Sequence, residues 1–260
     1  MNIRLKIDKS VHENAALYYE DAKEIRKKIK GLEKAIEETK TEIEQAKKEQ
    51  QKKKEQVKIR KEKKWYEKFH WFFTSEGKLV IGGKDAQQND QLFAKMEDND
   101  LFFHADIQGG SAVFLKDGIN AGEQELLEVA QYAACFSNAW KNANATVDVY
   151  AVKKEQLSKH AHGGFIPSGG FAISGERKWF RSTALILGCG QWVVSSEVPD
   201  KKQVTMLPEC AKLKLEDKIV LLPSKTGKEK GELAKSLAKR FGAHPDELLQ
   251  ILPNGRSKVK

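Results

Sequence analysis

From Val11 to Lys64 the chain has no proline, and its only glycine there is Gly31, so nothing in this run stops a helix. Apolar side chains recur at Tyr18, Ala22, Ile25, Ile29, Leu32, Ile36, Ile43 and Ala46, with Val57 following after a polar gap and Thr39 filling the step between Ile36 and Ile43. The spacing alternates three and four, which is a heptad seam sustained for about four repeats, with Glu and Lys on the other faces. A helix of this length reaches on the order of 80 Å. Asp8 or Ser10 is placed to cap its start.

A narrow seam on a solvated helix leaves its apolar side chains unburied, and no other segment of this sequence is long enough to cover it. The seam residues Ile25, Ile29, Leu32, Ile36 and Ile43 therefore predict a coiled-coil interface, either with a second copy of the chain or with a helix on another polypeptide. Between Lys47 and Lys64 a solvated helix held by Glu–Lys pairs fits equally well. The run KKEQQKKKEQVKIRKEKK also suits contact with RNA.

The charge falls in blocks. Residues 1–70 carry +7, residues 71–140 carry −7, residues 141–190 carry +4 and residues 191–260 carry +5. Basic regions around an acidic middle predict a polyanion partner met by particular surfaces. No stretch approaches the ~20 apolar residues a membrane-spanning helix needs, and the N-terminus lacks the apolar core and cleavage site of a secretory signal. Cys135, Cys189 and Cys210 are widely spaced, offer neither a disulfide framework nor a CxxC pair, and fit a reducing cytoplasm. No membrane association and no cofactor are expected.

At Trp65 the texture changes. In WYEKFHWFF, Trp65, Phe69 and Phe72 share a helical face while Trp71 and Phe73 alternate as in a strand, so the helix is expected to end here and these rings to anchor a core. KLVIGG reads as a strand closed by Gly82 and Gly83, followed from near Asp85 by a helix of about a dozen residues. Two glycines leading into a helix N-terminus suit an anion, through Lys84, Asp85, Gln87, Gln88 and Asn89. Neither GxxxxGK[ST] nor GxGxxG is present, so nucleotide hydrolysis is unsupported.

LFFHADI reads as a strand, with His104 and Asp106 on one face. Such a pair serves acid–base work, metal binding, hydrogen bonding to a ribose or phosphate, or a structural pairing. SAVFLK continues as a second strand beyond Gly109 and Gly110; Glu123 to Ala143 reads as one helix, and TVDVYAV as an alternating strand. The stretch from Lys153 to Arg181 then gathers Lys153, Lys154, Lys159, His160, His162, Arg177, Lys178 and Arg181 among five glycines, with FAIS as a short strand. Glycine with cationic side chains lets a phosphate backbone come close, which makes this the expected RNA surface. His160 and His162 alone do not make a zinc site. STALILGCG is expected to close the domain as an apolar strand. WVVSS and KIVLLP look strand-like, GELAKSLAKRFG and DELLQIL helical, and the tail NGRSKVK flexible.

With these segments in view, the chain resembles the C-terminal half of NFACT-family proteins, which include the nuclear export mediator factor, Caliban and the fibronectin-binding-protein-like ribosome-rescue factors. The resemblance is carried by ENAALYYEDAKEIRKK, KKWYEKFHWFFTSEGKLVIGGKDAQQND, DLFFHADIQGGSAVFLK, AACFSNAWKNANATVDVYAV and GGFIPSGGFAISGERKWF, in order across roughly residues 8–190. It implies a coiled-coil arm over residues 1–64 and an RNA-binding domain over 65–190, while residues 191–260, beyond the resemblance, read from their own texture as a small basic module. It also implies tRNA and the large ribosomal subunit as partners, in ribosome-associated quality control of stalled nascent chains. Family members begin with a larger N-terminal domain, a helix-hairpin-helix segment and the other coiled-coil arm, so a separate N-terminal half pairing through Ile25 to Ile43 is expected if this chain is not a fragment.

The expectation is therefore an α+β protein that binds RNA without catalysis. The family motif blocks place Lys84, Asp85, Gln87, Gln88, Asn89, His104, Asp106, Lys159, His160, Arg177, Lys178 and Arg181 as RNA-contacting or site-shaping. Two other readings compete: a coiled-coil adaptor whose globular part binds protein, and an RNA-modifying or hydrolytic enzyme using His104 and Asp106.

Overall fold

The computed structural model describes residues 3–58, 64–160, 166–193 and 202–260, with side chains of the first helix described through Glu44. Ala46, Val57, the basic side chains from Lys47 to Lys63, His162, Gly163, Gly164 and Ser195–Ser196 lie outside that description. The chain is α+β and divides into two compact units, at Lys63 and Lys64.

The first unit is dominated by α1, Val11–Lys58. Of the two candidate caps, Ser10 serves: its Oγ accepts from the Glu13 N–H at 3.3 Å, and the Glu13 carboxylate accepts from the Ser10 N–H at 2.7 Å. Asn14 is buried, its amide donating to the Lys6, Lys9 and Ser10 carbonyls, and Tyr18 donates to the Arg4 carbonyl at 2.6 Å, so the leading residues fold back on the first turns. Ile25, Ile29, Leu32, Ile36 and Ile43 are all exposed along α1.

The second unit opens with a turn over residues 65–68 and then β1, His70–Phe73. β2, Leu79–Gly82, and α2, Ala86–Phe93, follow; α2 is shorter than the sequence predicts. β3, Leu101–Ala105, and β4, Val113–Leu115, precede α3, Glu123–Cys135, and α4, Asn138–Lys141. One continuous helix was expected here; Ser137 breaks it, since its extended backbone and its Oγ, accepting from the Ala139 N–H, start a new helix.

β5, Thr146–Lys153, leads to the short β6, Leu157–Ser158, and β7, Ala172–Ile173. β8, Lys178–Ala184, and β9, Leu187–Val193, come next, where a single apolar strand was expected. The chain leaves one sheet at Leu185, whose N–H donates to the Ala145 carbonyl, and enters another. β10, Lys202–Pro208, β11, Glu216–Lys228, α5, Lys230–Phe241, α6, Pro245–Ile251, and β12, Ser257–Val259, complete the unit.

The main sheet runs β1-β2-β4-β3-β5-β8 and the second runs β10-β9-β11-β12. α3 is central. Val129, Ala130, Ala133 and Ala134 pack with Phe103, Val113 and Phe180 of the main sheet and with Leu207, Ile219 and Leu221 of the second. Small side chains at these helix positions let both sheets approach closely. Its buried Glu125 and Glu128 accept from Thr74, Ser75 and the Gly122 N–H, tying the β1–β2 turn to the helix.

β9 and this shared core cross the boundary expected between residues 190 and 191. The tail is a correction. Its composition predicts flexibility, but Leu221, Leu222 and Pro223 pair with Val259, Lys258 and Ser257, and buried Trp140 donates its indole N–H to Ser257 Oγ at 3.1 Å. An indole N–H in a core needs such an acceptor, and the tail supplies it.

Candidate RNA interface

The other face of the main sheet carries a second apolar cluster, built from Ile81, Phe102, Phe114 and Val152 under Leu92 and Met96. Strand alternation decides which residues share it. The register sets Gly83 beside Ala112, Ala112 beside His104, His104 opposite Tyr150 and Tyr150 opposite Trp179, a single row across the sheet.

The outer end of the row is a layered stack. Arg177 lies over Tyr150 with its guanidinium carbon 4.6 Å from the ring centre, and Arg181 lies over Trp179 at 4.0 Å. Tyr150 and Trp179 meet edge to face at 5.5 Å. Each cation–aromatic contact contributes about 0.5–1 kcal/mol where exposed. Arg181 is fixed by its 2.6 Å bond to Asp148, which also accepts from the Ser182 N–H at 2.7 Å. The Ser182 N–H and Arg181 together hold the Asp148 carboxyl below its usual range. Its guanidinium is still well exposed, with 62% of the side chain accessible.

Farther in, His104 stacks parallel to Phe102 and sits 5.9 Å from Tyr150. It requires Gly110, because a Cβ there would lie 2.8 Å from His104 Nε2. Burial lowers the imidazole below its ordinary range, against opposing effects of the Ala105 and Gly110 backbone and the Asp106 carboxylate. At the inner end Asn89 lies against Gly83, where a Cβ would fall 2.0 Å from Asn89 Oδ1. Asn89 Oδ1 and His104 Nδ1 are both buried without a hydrogen-bond partner among the described residues. An unmet buried polar atom costs about 1–3 kcal/mol.

The structure separates other residues that the sequence groups. Asp85 caps α2 by accepting from the Gln88 N–H at 2.7 Å, and Gln88 accepts from the Lys84 N–H, so these side chains build the helix start; Gln87 is exposed. Lys159 is engaged by Asp90, which also accepts from Ser168 Oγ at 2.8 Å and the Gly169 N–H at 3.1 Å. Lys159 lies over Phe171 at 3.9 Å, and Phe171 packs on Phe93. This latch fastens the glycine-rich segment to α2. Gly169 must be glycine, with φ of 77° and Ala86 Cα 2.5 Å from where a Cβ would be.

His160 is exposed in a tight turn with Ser158. Lys178 alternates away from Arg177 and Arg181, toward Phe180 and the α3 side. Asp106 is exposed at the end of β3. Among the described residues no three His, Cys, Asp or Glu side chains are placed to hold a metal ion. Tyr150, Trp179 and Asp148 were not singled out by sequence; the alternation of Arg177, Trp179 and Arg181 is the signal that marks them.

Residues 68–175 match the family described as the NFACT protein RNA binding domain, which takes in β1 through β7 and stops just before Arg177. The chain belongs to the NFACT family. It is similar to the archaeal Rqc2 homolog aRqcH of Methanocaldococcus jannaschii, 42% identical over 204 residues, covering 76% of this chain and 30% of that protein. It is similar to the ribosome quality control complex subunit NEMF homolog of Drosophila melanogaster, 39% identical over 128 residues, or 48% of this chain and 13% of that one. Ribosome quality control complex subunit 2 of Schizosaccharomyces pombe is 34% identical over 149 residues, 55% of this chain and 14% of that protein. This NFACT chain thus spans no more than 30% of the length of these relatives.

Proposed function

We propose that this NFACT chain is an RNA-binding factor of ribosome-associated quality control that engages tRNA and the large ribosomal subunit. It works by binding, with His104 shaping the surface rather than turning over a substrate. The observation that carries the reading is the stack of Arg177, Arg181, Tyr150 and Trp179 beside His104, formed where β8 pairs with β5, the last long strand of the RNA-binding-domain match. Aromatic and guanidinium planes together recognise nucleotides in many RNA-binding folds. Support for the ribosomal setting comes from relatives named as quality control subunits.

The exposed seam from Ile25 to Ile43 supports a second helix as partner, either from a separate N-terminal half or from another copy. In this reading the helix joins assemblies and the second unit meets RNA. An adaptor that uses both units for protein contacts is the competing reading.

Co-sedimentation of the full chain with purified large subunits, with and without peptidyl-tRNA, tests this. Retention on subunits carrying peptidyl-tRNA, falling as salt is raised, is the expected result. Association with protein alone, unchanged by salt and without subunit or tRNA binding, would favour the adaptor.

A further inference from the structure

We propose that the stack of Arg177, Tyr150, Trp179 and Arg181 takes unpaired nucleotides of single-stranded RNA, whose bases pack against the guanidiniums and rings, and does not grip a duplex by its phosphates. The inference rests on the RNA-binding reading and names the kind of RNA that this surface selects.

The first argument is geometric. The Arg177 and Arg181 guanidiniums lie over the Tyr150 and Trp179 rings, and the Arg181 side chain keeps 62% of its surface accessible, which leaves room for a base to add to the stack. A base continues such a stack only when its own face is free, and bases inside an A-form helix are already stacked on their neighbours.

The second argument is electrostatic. Arg181 is paired with Asp148, and the Asp106 carboxylate stands close enough to act on both His104 and Tyr150. Carboxylates beside the stack repel a phosphate backbone. Bases therefore face the stack while phosphates stay outside it.

The test is fluorescence anisotropy of the full chain with a labelled short single-stranded RNA, the same sequence closed into a duplex, and tRNA, each at several salt concentrations. Single-stranded RNA is expected to bind more tightly than duplex. Arg177→Ala with Arg181→Ala should weaken single-strand binding about tenfold or more, as losing a stacked base does, with the salt dependence nearly unchanged. Lys178→Ala, whose side chain lies on the other face of the strand, should leave single-strand binding within about twofold of the wild type, and a loss as large as that of the two arginines would count against the stack as the binding surface. Because Trp179 is part of the apolar cluster and its loss could unfold the sheet, the exposed Arg181 and the half-buried Arg177 carry the test, and thermal melts verify folding.

Equal or tighter binding of duplex would overturn the inference. So would a loss of salt slope on removing the two arginines, because they would then be phosphate contacts. In either case RNA binding itself would stand. Absence of binding to tRNA and to every RNA tested would remove the RNA-binding reading together with the inference.

Discussion

His70 opens β1 inside the core, its ring against Phe136 with centres 4.2 Å apart and its Nδ1 without a partner among the described residues. Burial, reinforced by Lys84 and Lys230, pushes its pKa well below 6.5, and burial also lowers His104. Both rings are then neutral in the fold but protonate near pH 6.5 in the unfolded chain. The unfolded state binds more protons below that point, so their contribution is fully present above pH 6.5 and drains away as pH falls toward the depressed folded values. The urea midpoint should therefore drop between about pH 7.5 and about pH 5.5, and His70→Gln should flatten that drop. A midpoint as pH-sensitive in His70→Gln as in the wild type would show that other groups set it. At this scale the sequence marked His104 and Asp106 through their spacing. It did not reveal that Asp85, Gln88 and Lys159 are occupied within the fold, because their partners are settled by local hydrogen bonding at the α2 start and by a contact between Lys159 and Asp90.

Among the elements, α1 was the most legible, since a period of three and four needs only local sequence. β2, β3 and β5 were legible through apolar runs bounded by glycine or polar residues. What could not be read was the pairing of β5 with β8, which joins Tyr150 to Trp179 across a loop and builds the stack. Strand pairing over such distances is a property of the folded sheet and has no local signature. The break between α3 and α4 was also hidden, because Ser137 acts as a cap there while an apolar pattern runs through it. The seam itself carries a prediction. Replacing Ile29 and Ile36 together with lysine should abolish association through α1 in analytical ultracentrifugation, while leaving the melting of the second unit unchanged, since burying a lysine in a heptad seam costs its solvation. Unaltered association would place the interface elsewhere.

At the scale of the molecule, charge and fold divide the labour. The acidic block of residues 71–140 carries β2, β3, β4 and α3, and four of its carboxylates serve the fold: Glu125 and Glu128 on the β1–β2 turn, Asp90 on the latch, Asp100 on Lys116. The cations that follow sit on β8 and in the C-terminal residues, which pack on α3 and are completed by β12. The tail escaped a reading from composition because one buried indole, Trp140, makes it part of the core. An arrangement that sets guanidiniums over aromatic rings, with the Asp148 and Asp106 carboxylates beside them, is suited to a polyanion that also offers free bases.

The affinity of the full chain for tRNA as a function of salt bears most directly on that claim, measured for the wild type and for a variant carrying Arg177→Ala, Lys178→Ala and Arg181→Ala. The account predicts binding whose logarithm falls linearly with the logarithm of salt concentration, weakened about tenfold or more in the variant at every salt. Binding that the variant retains in full, or no binding of tRNA by the wild type even at low salt, would contradict it.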